Sequence, residues 1–232
     1  CYNLTDDVWV LGGAINNGGI ALRWIRDEFG QKEQELAEKL GVDAYDLLTE
    51  QAGKVPAGAE GLILLPFYTG ERAPNWNADV RANLFGLTLN HKKCHVVRAT
   101  LEGVCYRMNS ILKALEEVTG PAFDIRVSGS FTRSDLWLQI LADVFNQNVN
   151  VPNVNEGAAF GAAVLGFVSA GVLSDISATA DVVTVTKSYK PRPEIVDIYK
   201  QLYDIYDRVY WNLQREFTDI AQFQKRDKTA IS

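Results

Sequence analysis

Three glycine-bearing turns carry the side chains and backbone best suited to chemistry in this chain, and the chemistry they suit is anion binding. The first is Asn16-Asn17-Gly18-Gly19, followed one helical turn later by Arg23. Glycine lets the main chain approach a ligand with no Cβ in the way, and a helix start presents unpaired amides and a positive dipole end. Arg23 would add a partner for a phosphate or a base, although glycine pairs also serve turn geometry alone. The second turn, Thr69-Gly70-Glu71-Arg72-Ala73-Pro74, comes directly after an apolar run, where open α/β sheets collect ligands. Its plainer reading is a proline-stiffened loop with Glu71 and Arg72 paired at the surface. The third, Ser128-Gly129-Ser130, would leave a flat slot for a purine ring, with Ser134 as a hydrogen-bond partner. Serine is equally at home as the N-cap of a helix beginning there.

Other chemistries find little to work with. A GxxxxGK[ST] loop is absent, and Gly12 to Gly19 does not spell the GxGxxG dinucleotide fingerprint. With only His91 and His95, a His-rich metal centre is excluded, and a Ser-His-Asp hydrolase would have to use a histidine beside Lys92-Lys93. No metal site is expected. Asp143 is read as an outward, solvated carboxylate, and Cys105 as a core thiol on an apolar stripe. The cysteines, Cys1, Cys94 and Cys105, are odd in number and lack the spacing of a disulfide framework, which suits a reducing cytoplasm. A net charge of −6 repels nucleic acid and anionic lipid. The chain opens Cys1-Tyr2-Asn3 without a signal-peptide pattern, and is expected to begin at a domain boundary. The weakly polar run Gly157 to Leu173 is too rich in glycine and alanine for a bilayer span and reads as a helix packed tightly on a sheet.

The turns must be held by regular elements, and the pattern supplies them. Trp9-Val10-Leu11 reads as a strand and Ile20 to Phe29 as a helix with Ile20, Trp24 and Phe29 on its apolar stripe, stopped by Gly30. Residues 31–60 are charged and helix-prone, broken at Gly41, Gly53 and Pro56, and read as a surface insertion. Leu62 to Leu65 is a strand buried on both faces, and Leu84 to Leu89 a weaker one. From Val97 to Val118 apolar residues recur at alternating spacings of three and four, the clearest helix in the chain. Ile125 to Val127, a helix after Ser134, Val149 to Pro152 and the Gly157 helix alternate strand and helix, which predicts a largely parallel sheet core. After Pro193, the residues Ile195, Ile198, Leu202, Ile205, Val209 and Leu213 mark a long amphipathic helix, and Lys225 to Ser232 are expected to fray.

These residues resemble the FGGY carbohydrate kinases, specifically the C-terminal, nucleotide-binding half. Ala82-Asn83-Leu84-Phe85-Gly86-Leu87, a seven-residue gap, and His95 to Glu102 follow the family's second signature. Gly70 to Trp76, Gln139 with Ala142-Asp143, and Glu156 with Phe160 to Ala163 also match family motifs, so the resemblance covers roughly residues 8 to 171. It implies an α/β fold, an actin-like (RNase H-like) ATPase domain with a mixed sheet flanked by helices, over residues 1–232. It also implies ATP and Mg2+ as cofactors and carries nucleotide contacts onto Gly19, Arg23, Gly70, Gly129, Ser130 and Ser134. Ser130 stands where the family more usually has glycine, which bears on the width of the adenine slot.

In the family the catalytic aspartate and most sugar contacts belong to an N-terminal lobe. This chain is expected to start after that lobe, and after the first two strands of its own lobe with their phosphate-contacting threonine. No catalytic residue is therefore assigned here, and an isolated lobe is expected to be inactive. The wording of Gly12 to Gly19 and Pro66 to Trp76 looks most like gluconate kinases, which implies phosphorylation of gluconate to 6-phosphogluconate in the cytoplasm. Xylulose or glycerol kinase specificity and a non-catalytic, actin-like nucleotide-binding module stand as alternatives. The resemblance adds ATP/ADP and a sugar or sugar acid as partners, with a homodimer admitted and no nucleic acid or membrane expected.

Overall fold

The structure is a computed structural model that describes residues 1–5, 8–154 and 156–230. An antiparallel ribbon, β1 (Tyr2–Thr5) and β2 (Val8–Val10), leads to three helices, α1 (Gly19–Phe29), α2 (Gln31–Leu40) and α3 (Ala44–Gly53). A second antiparallel pair follows, β3 (Ile63–Leu65) with β4 (Asn83–Phe85), then the 27-residue α4 (Lys93–Thr119). The remainder runs β5 (Ile125–Arg126), α5 (Asp135–Phe145), β6 (Val149–Pro152), α6 (Gly157–Ser169), β7 (Val185–Tyr189), α7 (Pro193–Asn212) and α8 (Gln214–Ala230). In the three-stranded sheet β5 and β6 are parallel and β7 returns antiparallel, so the sheet is mixed. The largely parallel core expected from strand-helix alternation is not what forms. Among the described residues only β5 and β6 pair in parallel, because β1–β2 and β3–β4 return with no crossover helix.

Helix α4 is the axis of the core. Its Val97, Leu101, Val104 and Cys105 are fully buried, the helix packs on β3, α1, α3 and α5, and the Trp137 indole N–H donates to the Leu101 carbonyl at 3.0 Å. Gly103 explains the closeness of the packing: a Cβ there would stand 2.2 Å from the Leu64 carbonyl oxygen of β3. Burial pushes the Cys105 thiol well above its ordinary value, so it is an inert core group, as its stripe suggested.

Three surfaces differ from the sequence pattern. On α1 the buried face is Ala21, Leu22 and Ile25, while Ile20, Trp24 and Phe29 lie outward, the Trp24 ring against Phe29 and Tyr68. The segment read as a surface insertion sends α3 into the core, with Leu48 and Ala52 wholly buried against α4. Helix α6 buries only Val164 and leaves Leu165 and Phe167 exposed, so it is not the tightly packed helix expected. Helix α8 carries the chain through Lys225, whose ammonium lies 2.9 Å from Asp79, so no fraying is seen there; residues 231 and 232 lie outside the described residues.

Helix α7 docks through phenols as much as through aliphatics. Tyr199, Tyr203, Tyr206 and Tyr210 are buried at spacings of four, three and four; the first three face Tyr106 of α4, and Tyr210 packs on Phe67. Tyr199 donates to Glu102 at 2.9 Å and accepts from Arg98 at 2.7 Å, and Arg98 also donates to Glu102 at 2.6 Å. Burial pushes the Tyr106, Tyr199 and Tyr206 hydroxyls well above their ordinary range, and those of Tyr106 and Tyr206 are buried without a partner among the described residues. Asp143 is likewise buried, accepting from the Arg192 amide at 2.8 Å and its guanidinium at 2.6 Å. The solvated reading of this carboxylate is thus corrected; its partner arrives 49 residues later, at the start of α7.

Two predictions follow from this packing. Gly103→Ala should improve helix propensity yet lower stability by about 1–3 kcal/mol, because β3 must move aside; the urea midpoint reads it. Glu33, nearly buried on α2, accepts from Lys93 and Gln51. Burial raises its carboxyl, but the two donors outweigh that and hold it below its ordinary value. A carboxylate depressed in the folded state contributes fully above its unfolded value, and that contribution is lost as pH falls through the depressed one. Stability should therefore decline below about pH 4.3, and Glu33→Gln should flatten that decline in denaturation curves taken stepwise in pH.

Candidate functional site

A cavity of about 300 Å3 opens between the start of α1, the start of α3 and the turn before α5. Gly19 and Arg23 line one side, Ser130 and Ser134 another. Helix α1 begins at Gly19 with no side-chain cap and no acidic residue in its first turn, so its leading amides and dipole end are uncompensated. Apart from the adjoining backbone, no atom of the described residues lies within 4 Å of where a Cβ would stand on Gly18 or Gly19, leaving the backbone open to approach. Arg23 makes no ion pair among the described residues.

Gly129 does not itself line the cavity; it turns the chain into the opposite side, and no other residue could easily replace it. Gly129 sits at φ 86°, ψ −170°, a region nearly closed to side chains, and the chain then makes a short 3-10 turn through Ser130 to Arg133. Thr132 ties that turn back, its amide and hydroxyl both donating to the Gly129 carbonyl. The turn lays Phe131 against Trp137 at 4.4 Å between ring centroids, an apolar wall beside the small Ser130. Ser134 caps α5, its hydroxyl accepting from the Trp137 amide at 3.3 Å, and lines the cavity as well. Both readings of this serine therefore hold.

A third wall comes from α3, which the sequence reading had set at the surface. Asp43 caps α3 by accepting from the Tyr45 amide at 3.0 Å, and Tyr45, Asp46 and Thr49 face the cavity. Arg26 of α1 lies over the Tyr45 ring at 4.8 Å and binds α1 to this wall. The sequence reading singled out no residue of this segment, since nothing local shows that the start of α3 returns to Gly19.

Gly70 does not line the cavity; it belongs to the scaffold beside it. With φ at 72°, and Ala78 so close that a Cβ would meet its carbonyl oxygen at 2.8 Å, the position admits glycine alone. Its carbonyl accepts from the Asn17 side chain at 2.8 Å, and Asn17 in turn accepts from the Thr69 amide at 3.2 Å and its hydroxyl at 3.1 Å. Glu71 is no surface partner of Arg72. It is 3% exposed, and its carboxylate accepts from the Arg107 guanidinium of α4 at 3.1 Å, from the Arg72 amide at 2.7 Å and from the Asn16 amide at 3.4 Å. Arg107 also donates to the Ala73 carbonyl at 2.9 Å. The first two glycine turns are thus lashed together, and the second positions the first. Among the described residues no group of three or more His, Cys, Asp or Glu could hold a metal ion, and no helix is long and apolar enough to cross a membrane.

The fold and this cavity define an α/β domain of the kind found in sugar kinases. Two solved structures from Lactobacillus acidophilus, a xylulose kinase and a gluconate kinase, each superpose with a TM-score of 0.78 at 28% identity, over 90% of this chain and 40% of theirs. Residues 2–170 match the C-terminal domain of the FGGY family of carbohydrate kinases, and the chain belongs to that family. A gluconokinase of Bacillus licheniformis is 44% identical over 97% of this chain. The chain spans 44% of that relative's length.

The lashing has a measurable weight. Removing one partner of a buried pair strands the other, so Glu71→Ala should cost about 3–5 kcal/mol in urea unfolding, several times the effect of removing an exposed carboxylate such as Glu50.

Proposed function

We propose that this chain is the nucleotide-holding lobe of a gluconate kinase, which moves the γ-phosphoryl group of ATP onto a gluconate hydroxyl and releases 6-phosphogluconate. The observation that carries the reading is the meeting of Gly19, Arg23, Ser130 and Ser134, more than a hundred residues apart in the chain, around one cavity. The uncapped amides of α1 and the unpaired Arg23 suit phosphate oxygens. The Phe131–Trp137 wall and the small side chain of Ser130 suit a purine face. Such a lobe works chiefly by positioning and by electrostatic stabilisation of the transferred group. Mg2+ would come in on the phosphates, which it normally shares with only one or two carboxylates. We read the fold as the actin-like, RNase H-like type, with the enzyme acting in the cytoplasm.

The acceptor hydroxyl and its base belong to polypeptide beyond this lobe. Exposed apolar side chains on β2, Trp9 and Val10, and on α6, Leu165 and Phe167, support its working against such further structure. The likeness to a xylulose kinase structure equals that to a gluconate kinase structure, so the fold does not choose the sugar. The 44% identity to a gluconokinase favours gluconate.

On the full-length enzyme, an ADP-release assay across gluconate, xylulose and glycerol should give its highest turnover with gluconate; faster xylulose or glycerol turnover would overturn the substrate. Gly19→Val tests the cavity. The protein itself has room for that side chain, so melting should be nearly unchanged while ATP affinity by calorimetry drops at least about tenfold, roughly 1.4 kcal/mol. Undiminished affinity would sink the placement.

A further inference from the structure

A second, larger cavity, about 510 Å3, lies in a groove between α4 and α7 beneath Pro74 and Asn75. It shares no lining residue with the first. Its volume falls in the range of small-molecule sites. On its floor is Arg107, whose side chain is only 3% exposed. The Nε and Nη2 donors of Arg107 are spent on Glu71 and Ala73, while Nη1 bonds to nothing among the described residues and is not among the sealed polar atoms, and the residue lines the groove.

The walls present further donors and acceptors in balance. Lys113 and Arg208 are cationic; Glu117, Asp204 and Asp207 are carboxylates, and none of these five forms an ion pair among the described residues. Lys113 lies over the Tyr203 ring at 3.9 Å. Trp211, 56% exposed, also lines the groove.

We infer that this groove binds a neutral polyhydroxy compound of the sugar or polyol class. A hydroxyl both donates and accepts, so a row of hydroxyls can use free ammonium, guanidinium and carboxylate groups together. A flat indole suits the C–H face of such a ligand. Charge decides against an anion. The three cations of the lining are matched by its three carboxylates, and Arg107 is matched again by buried Glu71. A phosphate or another multiply charged anion would meet net negative charge. This assignment does not depend on which sugar the kinase phosphorylates, and its readout is binding, not turnover.

The test is titration of the intact protein with sorbitol, followed by tryptophan fluorescence, with gluconate and inorganic phosphate in parallel. Sorbitol should give a saturable change with an affinity on the order of 1 mM. Trp211→Phe should abolish the signal, and Asp207→Asn, a partly exposed position whose loss leaves the fold intact by circular dichroism, should weaken binding at least about tenfold by calorimetry. No saturable binding, binding unaltered in Asp207→Asn, or tighter binding of gluconate or phosphate than of sorbitol would overturn the inference.

Discussion

A carboxylate and a guanidinium removed from water together can be neither separated nor half-formed without great cost, and Glu71 with Arg107 imposes that constraint here. Because the pair must close, the loop from Thr69 to Trp76 is held down upon α4. Because Asn16 and Asn17 bond to that loop, the start of α1 is fixed in turn. One ion pair thereby sets both the α1 edge of the first cavity and the Pro74–Asn75 rim of the groove between α4 and α7. Its energetic return is weak compared with apolar packing of the same volume, but its geometry is unforgiving, and position is what the proposed phosphoryl-transfer role would ask of this lobe.

How far the sequence could be read depended on whether the deciding contact was local. The cap at Ser134, the buried strand at Ile63 to Leu65 and the length of α4 rest on short-range spacing, and all three were legible. Pairing that bridges long separations was not. Glu71 sits beside Arg72 in sequence yet finds Arg107, and Asp143 looks like one more helix-surface acid until Arg192 arrives. Aliphatic counting also misled at α7, where the deepest positions are tyrosines, and at α1, where two aromatic rings lie outward and alanine lies inward.

The site shows the same division. Gly19, Arg23, Ser130 and Ser134 were found because each sits at a turn whose chemistry is visible locally, and the structure brings them to a common cavity. The α3 wall escaped notice because its buried face, Ala44, Leu48 and Ala52, holds one large apolar side chain and two alanines amid a charged segment. Gly70 matched a motif of the family but turns out to hold the scaffold, since its conformation and its carbonyl both serve the neighbouring loop.

The tyrosine seam between α4 and α7 has a consequence at the far end of the pH scale. Phenols ionise near pH 10 in an unfolded chain, whereas burial forbids Tyr106, Tyr199 and Tyr206 to do so in place. Their contribution is whole below that value and erodes as pH climbs past it, since each hydroxide-driven ionisation is available only to a chain that has opened. Strong base therefore acts on this domain as a denaturant before it acts as a titrant.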